Sequence, residues 1–277
     1  MNMDIKHYPG TRAITIFCLL VLYSPMLVVA VYSFNSLRSI SNWGGFTFDW
    51  YIKAFNNPAI QSAALNSLSI AFTASLIATA IAVCASLALL RGKKFKGQGA
   101  FAGLLSLPLM IPEIITLLPH LLIIRGEIIP LPFSSSWMNT LQGLTVPFMG
   151  NIFVIFLLRQ YFKKIPNELW DAARLDGASH FYFLTRIVVP MSMPIIVTAG
   201  LFTFIIAWNS FAWPLLILTK EDWYPVTVSI YSFVREVGPN FHLLMAACLI
   251  AIAPILLLYF FTQRLFIESI SNFGIKE

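Results

Sequence analysis

The side chains of this chain that are suited to bond chemistry are scattered, and their spacing argues against most reactions. His7, His120, His180 and His242 show no metal-ligand spacing, and Cys18, Cys84 and Cys248 each stand alone in an apolar run. Neither a metal centre nor a disulfide framework is expected from them. No Ser-His-Asp or paired-carboxylate arrangement emerges. In Arg91-Gly-Lys-Lys-Phe-Lys96 the first lysine follows a single glycine and precedes another lysine, so this is not a phosphate-cradling Gly-x-x-x-x-Gly-Lys-Ser/Thr loop, and no other stretch matches that pattern. The chain is therefore expected to be no enzyme and to hold no nucleotide, metal or other cofactor of its own.

Non-covalent chemistry is better represented. Trp208, Asn209 and Trp213 bring two indoles close to one amide. An aromatic face packs on the C–H side of a sugar while an amide bonds its hydroxyls, and neither interaction needs net charge. A second reading stands beside this one, in which the two indoles simply pack between helices. Glu113 is a carboxylate in an apolar stretch, which makes it a candidate for a translocation path or for a helix end at the membrane interface. Counted along a continuous helix from Ala100 it falls beyond the midplane, toward the outside. Asn151 and Asn66 are further polar candidates, for a path or for hydrogen bonds between helices.

The largest polar feature is an island between apolar stretches, Ile165-Pro-Asn-Glu-Leu-Trp-Asp-Ala-Ala-Arg-Leu-Asp-Gly-Ala-Ser179. Each Arg or Asp in it would cost about 2.5–3.5 kcal/mol at the centre of a bilayer, so the island belongs in water. Asn167 to Leu175 favours a helix, with Pro166 at the entry and Glu168 and Asp171 near the positive end of the dipole. Leu169, Ala172 and Ala173 share a face by their spacing. Gly177 supplies a bend, and a second piece from Ser179 to Val189 leads to Pro190 and Pro194. A helix, a bend and a second helix form a knob able to seat in a partner's groove.

The elements that must carry these residues are membrane spans. Of 277 residues 58% are hydrophobic and 11% charged, and the mean hydropathy is +0.79, whereas soluble domains carry about 25% charged residues. Six spans fit the hydropathy, about 13–34, 62–90, 100–124, 141–161, 190–218 and 243–266. The third is punctuated by Pro108, Pro112 and Pro119, each of which bends a helix. The first run exceeds a signal-peptide core and is read as an uncleaved helix. Trp43 to Phe55 concentrates aromatic rings, as an outer interfacial segment would. No separate soluble domain and no internal repeat stand out, so 1–277 reads as a single transmembrane domain.

The formal charge of +6 reports topology and not nucleic acid. With the N-terminus inside, thirteen basic residues (Lys6, Arg12, Arg91, Lys93, Lys94, Lys96, Arg159, Lys163, Lys164, Arg174, Arg186, Arg264, Lys276) fall on the inner side. Five (Arg38, Lys53, Arg125, Lys220, Arg235) fall outside, thirteen and five making up the eighteen Lys and Arg of the chain. This bias places both termini and the knob, about 163–189, in the cytosol.

Asp171-Ala-Ala-Arg-Leu-Asp-Gly-Ala178, followed by Arg186-Ile-Val-Val-Pro190 and Pro194, resembles the cytosolic coupling loop of permease subunits in bacterial ABC importers. The family's pattern reads Glu-Ala-Ala, three residues, Gly-Ala, then Leu-Pro. Asp171 stands where the family usually has Glu, and Val189 where it has Leu. The resemblance implies an all-α integral membrane protein of the bacterial inner membrane, with six helices of type I importer architecture and a cytosolic coupling helix. It also implies that Glu168, Asp171, Ala172, Ala173, Asp176, Gly177 and Ala178 meet an ATPase. The implied partners are two ATP-binding-cassette subunits that bind ATP and Mg, a second permease subunit and an extracytoplasmic binding protein.

On the cargo the two halves differ. Trp43-Gly-Gly-Phe-Thr-Phe-Asp-Trp-Tyr51 and Leu107-Pro-Leu-Met-Ile-Pro-Glu113 are similar to spermidine and putrescine permeases. Asn139-Thr-Leu-Gln-Gly-Leu-Thr-Val-Pro147, Phe156-Leu-Leu-Arg-Gln-Tyr-Phe162, Trp208-Asn-Ser-Phe-Ala-Trp-Pro-Leu-Leu216 and Leu243-Leu-Met-Ala-Ala247 are similar to carbohydrate and glycerol-3-phosphate permeases. The second group is larger and more specific, and a polycation would call for more carboxylates than Glu113. A sugar or polyol phosphate is the expected cargo, a polyamine the alternative. A secondary transporter working without an ATPase is the rival of another class.

Overall fold

The computed structural model describes residues 10–37, 42–91, 98–130, 136–236 and 241–274. Lys93, Lys94 and Lys96 of the expected basic turn lie outside them, as do His7, Arg38 and both chain ends. Among the described residues the secondary structure is helical, with one isolated bridge between Asn35 and Phe46. That is the outcome demanded of an apolar chain in hydrocarbon, where each span must satisfy its own N–H and C=O groups.

Among the described residues three helices are long and apolar enough to cross a membrane: α1 (Thr11–Tyr32), α3 (Pro58–Arg91) and α14 (Phe241–Gly274). With each of three bent pairs taken as one span, the number rises to six. The first pair joins α4 (Gln98–Ser106), through a 3-10 turn (Leu107–Leu109), to α5 (Glu113–Ile124), with a bend of 106°. The second joins α6 (Leu141–Met149) to α7 (Ile152–Phe162) with a bend of 41°. The third leads at 85° from the segment His180–Met191 into α11 (Met193–Trp208).

The third span bends where its prolines lead one to expect, and at Pro108 and Pro112 the bend goes as far as a break. Two prolines four residues apart, Pro108 and Pro112, remove two donors within one turn, and the helix stops between them. Pro119 alone does not stop α5, which runs through it. The depth assigned to Glu113 from a continuous helix therefore fails, because Glu113 is the first residue of a new helix. The fifth span is interrupted as well, at Asn209–Phe211, before α12 (Ala212–Ile217). Two short helices, α2 (Asp49–Phe55) and α13 (Val226–Glu236), were not expected as helices from hydropathy.

The chain divides into two compact units, Met1–Gln61 with Ile230–Ala253, and Ser62–Ser229 with Pro254–Glu277. In the first, Asn35 is a hub. Its Oδ1 accepts from Gly44 N and Leu37 N, and its Nδ2 donates to Asn42 O. Its carbonyl accepts from Trp50 Nε1 at 2.7 Å. Phe34, Phe46, Phe48 and Tyr51 form a ring cluster beside it, as suits an interfacial segment.

The second unit holds two cores. One joins Val154 and Leu158 of α7 to Ala82 and Val83 of α3 and Ile195 and Ala199 of α11, and continues into the knob through Ala173 and Phe183. The small residues of α3 do what lipid-embedded helices require of them. Ser75 Oγ donates to Gly200 O at 2.7 Å, a close approach of α3 and α11. The other core joins Leu117 and Ile124 of α5 to Leu144, Trp213 and Ile217.

Candidate functional site

The knob is a helix, a left-handed glycine and a second helix. α8 (Asn167–Leu175) starts behind Pro166, whose missing N–H is harmless there, and carries Glu168 in its first turn and Arg174 in its last. The helix ends as Ala178 N donates to Ala173 O and Gly177 adopts φ +75°, the conformation that a side chain penalises. Ser179 then caps α9 (His180–Phe183), its Oγ accepting from Tyr182 N at 3.2 Å. A π turn at Leu184–Val188 and a short α10 (Val189–Met191) lead to Ser192, where the chain turns into α11.

Within the knob the face that Leu169, Ala172 and Ala173 share by spacing is only partly covered by the chain itself. Ala173 is 6% exposed, but Leu169 and Ala172 are exposed. The face turned inward is Trp170 with Ala173, because α9 returns beneath it. The Trp170 ring lies 4.7 Å from those of His180 and Phe183. Glu168, Asp171, Ala172, Asp176 and Gly177 are exposed and Ala178 is half-buried. None of these acidic residues forms an ion pair among the described residues, where Arg125–Glu127 is the one such pair.

Three side chains that sequence reasoning did not single out dominate the free surface of the knob. Leu175 is 89% exposed, Phe181 74% and Tyr182 55%. They flank the Gly177 bend, two on one helix and one on the other. A signal was available, since large apolar residues in a segment too polar for lipid must meet either their own chain or a partner.

The span residues are placed less uniformly. Trp208 is buried and stacks on Phe204 at 5.7 Å. Trp213 is buried and donates Nε1–H to Gly143 O at 3.0 Å. Both indoles are thus engaged in packing, while Asn209, the cap of α11, is exposed at the break between them. Asn151 caps α7, its Oδ1 accepting from Val154 N at 3.3 Å. Asn66 donates to the carbonyls of Asp222 and Tyr224, which ties α3 to the loop before α13. Glu113 is exposed at the start of α5, and His120 is exposed with its ring edge-on to Trp213 at 6.0 Å. The structure brings His120 to Trp213, an association that neither hydropathy nor spacing announces.

Known proteins resemble this chain in sequence and fold. The family described as "Binding-protein-dependent transport system inner membrane component" matches residues 78–272. The chain is 30% identical over 223 residues to the arabinooligosaccharides transport system permease protein AraQ of Halalkalibacterium halodurans, covering 80% of this chain and 73% of that protein. It is 29% identical over 208 residues to the sn-glycerol-3-phosphate transport system permease protein UgpE of Shigella flexneri, covering 74% and 71%. Among solved structures it resembles a chain of a bacterial ABC transporter involved in the import of the acidic polysaccharide alginate. The TM-score is 0.77 at 19% identity, over 93% of this chain and 95% of that one, a likeness of fold. With six helical spans, a polar helix pair ahead of the fifth, and a family match running from the second span to the last helix, the chain belongs to the inner membrane components of binding-protein-dependent transport systems, as a multi-pass transport subunit and not a catalytic one.

Proposed function

We propose that this chain is the permease subunit of an ATP-driven bacterial importer that carries a sugar or a polyol phosphate such as glycerol 3-phosphate. An extracytoplasmic binding protein delivers the cargo, a second permease completes the path, and two ATP-binding-cassette subunits bind ATP and Mg. The printed functions of AraQ and UgpE support this cargo class.

The observation that carries the reading is the exposed apolar trio Leu175, Phe181 and Tyr182 around the bend of a segment too polar for lipid. These apolar side chains and the free carboxylates of Glu168, Asp171 and Asp176 offer a cytosolic ATPase both a hydrophobic contact and charge to pair. Behind them, Trp170, Ala173 and Phe183 join the knob to the core of α7, α3 and α11. When ATP closes the cassette dimer, a knob held this way shifts with its spans as one body, and the path alternates between inner and outer openings.

In the test, the complex is reconstituted into vesicles with its binding protein, and uptake is followed with and without ATP. Uptake that requires ATP, and cysteine crosslinks from Ala172 or Ala178 to a cassette subunit, are the expected results. Uptake that proceeds without any ATPase would return the chain to the secondary transporters, and preferential uptake of spermidine would overturn the cargo class.

A further inference from the structure

α5 has two faces. At 3.6 residues per turn, Glu113, Leu117, His120 and Ile124 fall on one stripe, with Ile114, Ile115 and Leu118 on the other side. Leu117 and Ile124 are buried in the core that contains Trp213 and Ile217, so the stripe is turned toward the protein's own helices. Glu113 and His120 share that stripe yet are exposed, whereas Ile114, Ile115 and Leu118 form the lipid-suited face. Among the described residues, neither the Glu113 carboxylate nor the His120 imidazole makes a hydrogen bond or an ion pair. Open space on an inward stripe is where water or cargo can meet such groups, and a broken backbone at membrane depth is tolerated only where it lines protein or a wet cavity.

The charge inventory adds a direction. Across the spans 62–90, 100–124, 141–161 and 190–218, the formally charged residues are Glu113 and, near the cytosolic end of the fourth, Arg159. A path for a phosphorylated or acidic cargo would gain from a cation along its length, and beyond that inner end these segments offer only a carboxylate. Two turns along the helix, His120 holds its imidazole edge-on to the Trp213 indole, and an imidazole can bond a hydroxyl.

We propose that Glu113 and His120 line the cargo path and that the charge of Glu113 selects uncharged sugars over phosphorylated or acidic ones. This rests on the importer reading and narrows its two cargo classes to one. The two residues are separated by seven positions, about 10 Å along the helix, close enough for the carboxylate to bias what reaches position 120.

The experiment reads thiol labelling in the assembled importer in membrane vesicles, with Cys18, Cys84 and Cys248 replaced by alanine. Glu113→Cys, His120→Cys and, as the lipid-face control, Leu118→Cys are each exposed to a trimethylammonium and to a sulfonate methanethiosulfonate reagent. Labelling at 113 and 120 with silence at 118 is expected. At position 120 the cationic reagent, normalised to a free thiol in solution, is expected to react about tenfold faster than the anionic one. Adding Glu113→Gln should bring that ratio close to one. Silence at 120, or a ratio that Glu113→Gln leaves unchanged, overturns the proposal. Stimulation of ATP hydrolysis by the binding protein is measured on the complex with the unaltered chain. If it is absent the importer reading falls, and if it is present while position 120 stays silent the path inference alone falls.

Discussion

Two corners of this protein are each built around a glycine, and the two glycines are needed for opposite reasons. In the knob, Gly177 has φ +75°, yet no atom lies within 4 Å of where a Cβ would stand. At the turn into α6, Gly143 has no such backbone conformation, but a Cβ would collide with the carbonyl oxygen of Trp137. The second corner is closed upon itself. Trp213 donates to Gly143, Thr140 caps α6 through Gly143 N, and Asn139 Oδ1 accepts from Thr219 N at 2.7 Å. The knob leaves Leu175, Phe181 and Tyr182 uncovered. One corner is finished within the chain; the other is shaped for contact with something else.

The largest effect should come from Gly177→Leu. Left-handed backbone costs a residue with a Cβ about 1–2 kcal/mol, which a membrane-inserted chain can tolerate, and the space around Gly177 leaves room for the side chain. The added bulk meets only a docking partner. Normal insertion with ATP-driven uptake reduced to background is expected, and normal uptake by the inserted variant would dissolve the contrast between the two corners.

Gly143→Ala should show the reverse. Here the obstacle is the chain's own backbone, and overpacking of this kind costs about 1–3 kcal/mol. A lowered unfolding temperature of the purified protein is expected, with the residual folded fraction still able to couple ATP to transport. Unchanged stability would mean that Trp137 moves aside freely, and the corner would lose its claim to be a rigid closure.

The sequence made the knob more legible than the spans. Asn167 to Leu175 could be read as a helix because its signals are local: Pro166 before it, Glu168 in its first turn, Gly177 after it. Its inward face was not local. Leu169, Ala172 and Ala173 satisfy the helical period equally well, and only the return of α9 onto Trp170 selects one face. In the spans, hydropathy is an average over many residues and does not register a break; Pro108 and Pro112 announce a bend in Leu107–Glu113 but not that it reaches 106°. Trp208 and Trp213 were equally visible as platform or as packing. Their burial and the Trp213–Gly143 hydrogen bond depend on residues distant in the chain.

A smaller effect is expected from Phe181→Ala, which leaves the bend and the buried Trp170–Ala173 face intact. Removing one exposed aromatic anchor from an interface costs about 2 kcal/mol when that anchor is central. Affinity of the permease for its ATPase should fall by a factor of about thirty, with thermal stability of the isolated permease unchanged. A loss of stability instead would place Phe181 in the fold of the knob and not on its docking face.

The smallest effect sharpens the comparison at the bend between α6 and α7. Asn151 is half-buried there and its Oδ1 accepts from Val154 N, so its amide already has a structural task. Losing such a cap costs about 1 kcal/mol. Asn151→Asp and Asn151→Ser keep an acceptor at that position, whereas Asn151→Ala does not. If Asn151 acts only as a cap, the serine and aspartate variants retain both stability and uptake, and the alanine variant loses a little of each in proportion. If the amide also touches cargo, aspartate restores stability but not the apparent affinity for sugar, because the carboxylate can no longer donate to a hydroxyl. A split between the two readouts would move Asn151 from the closed corners of the protein to its path.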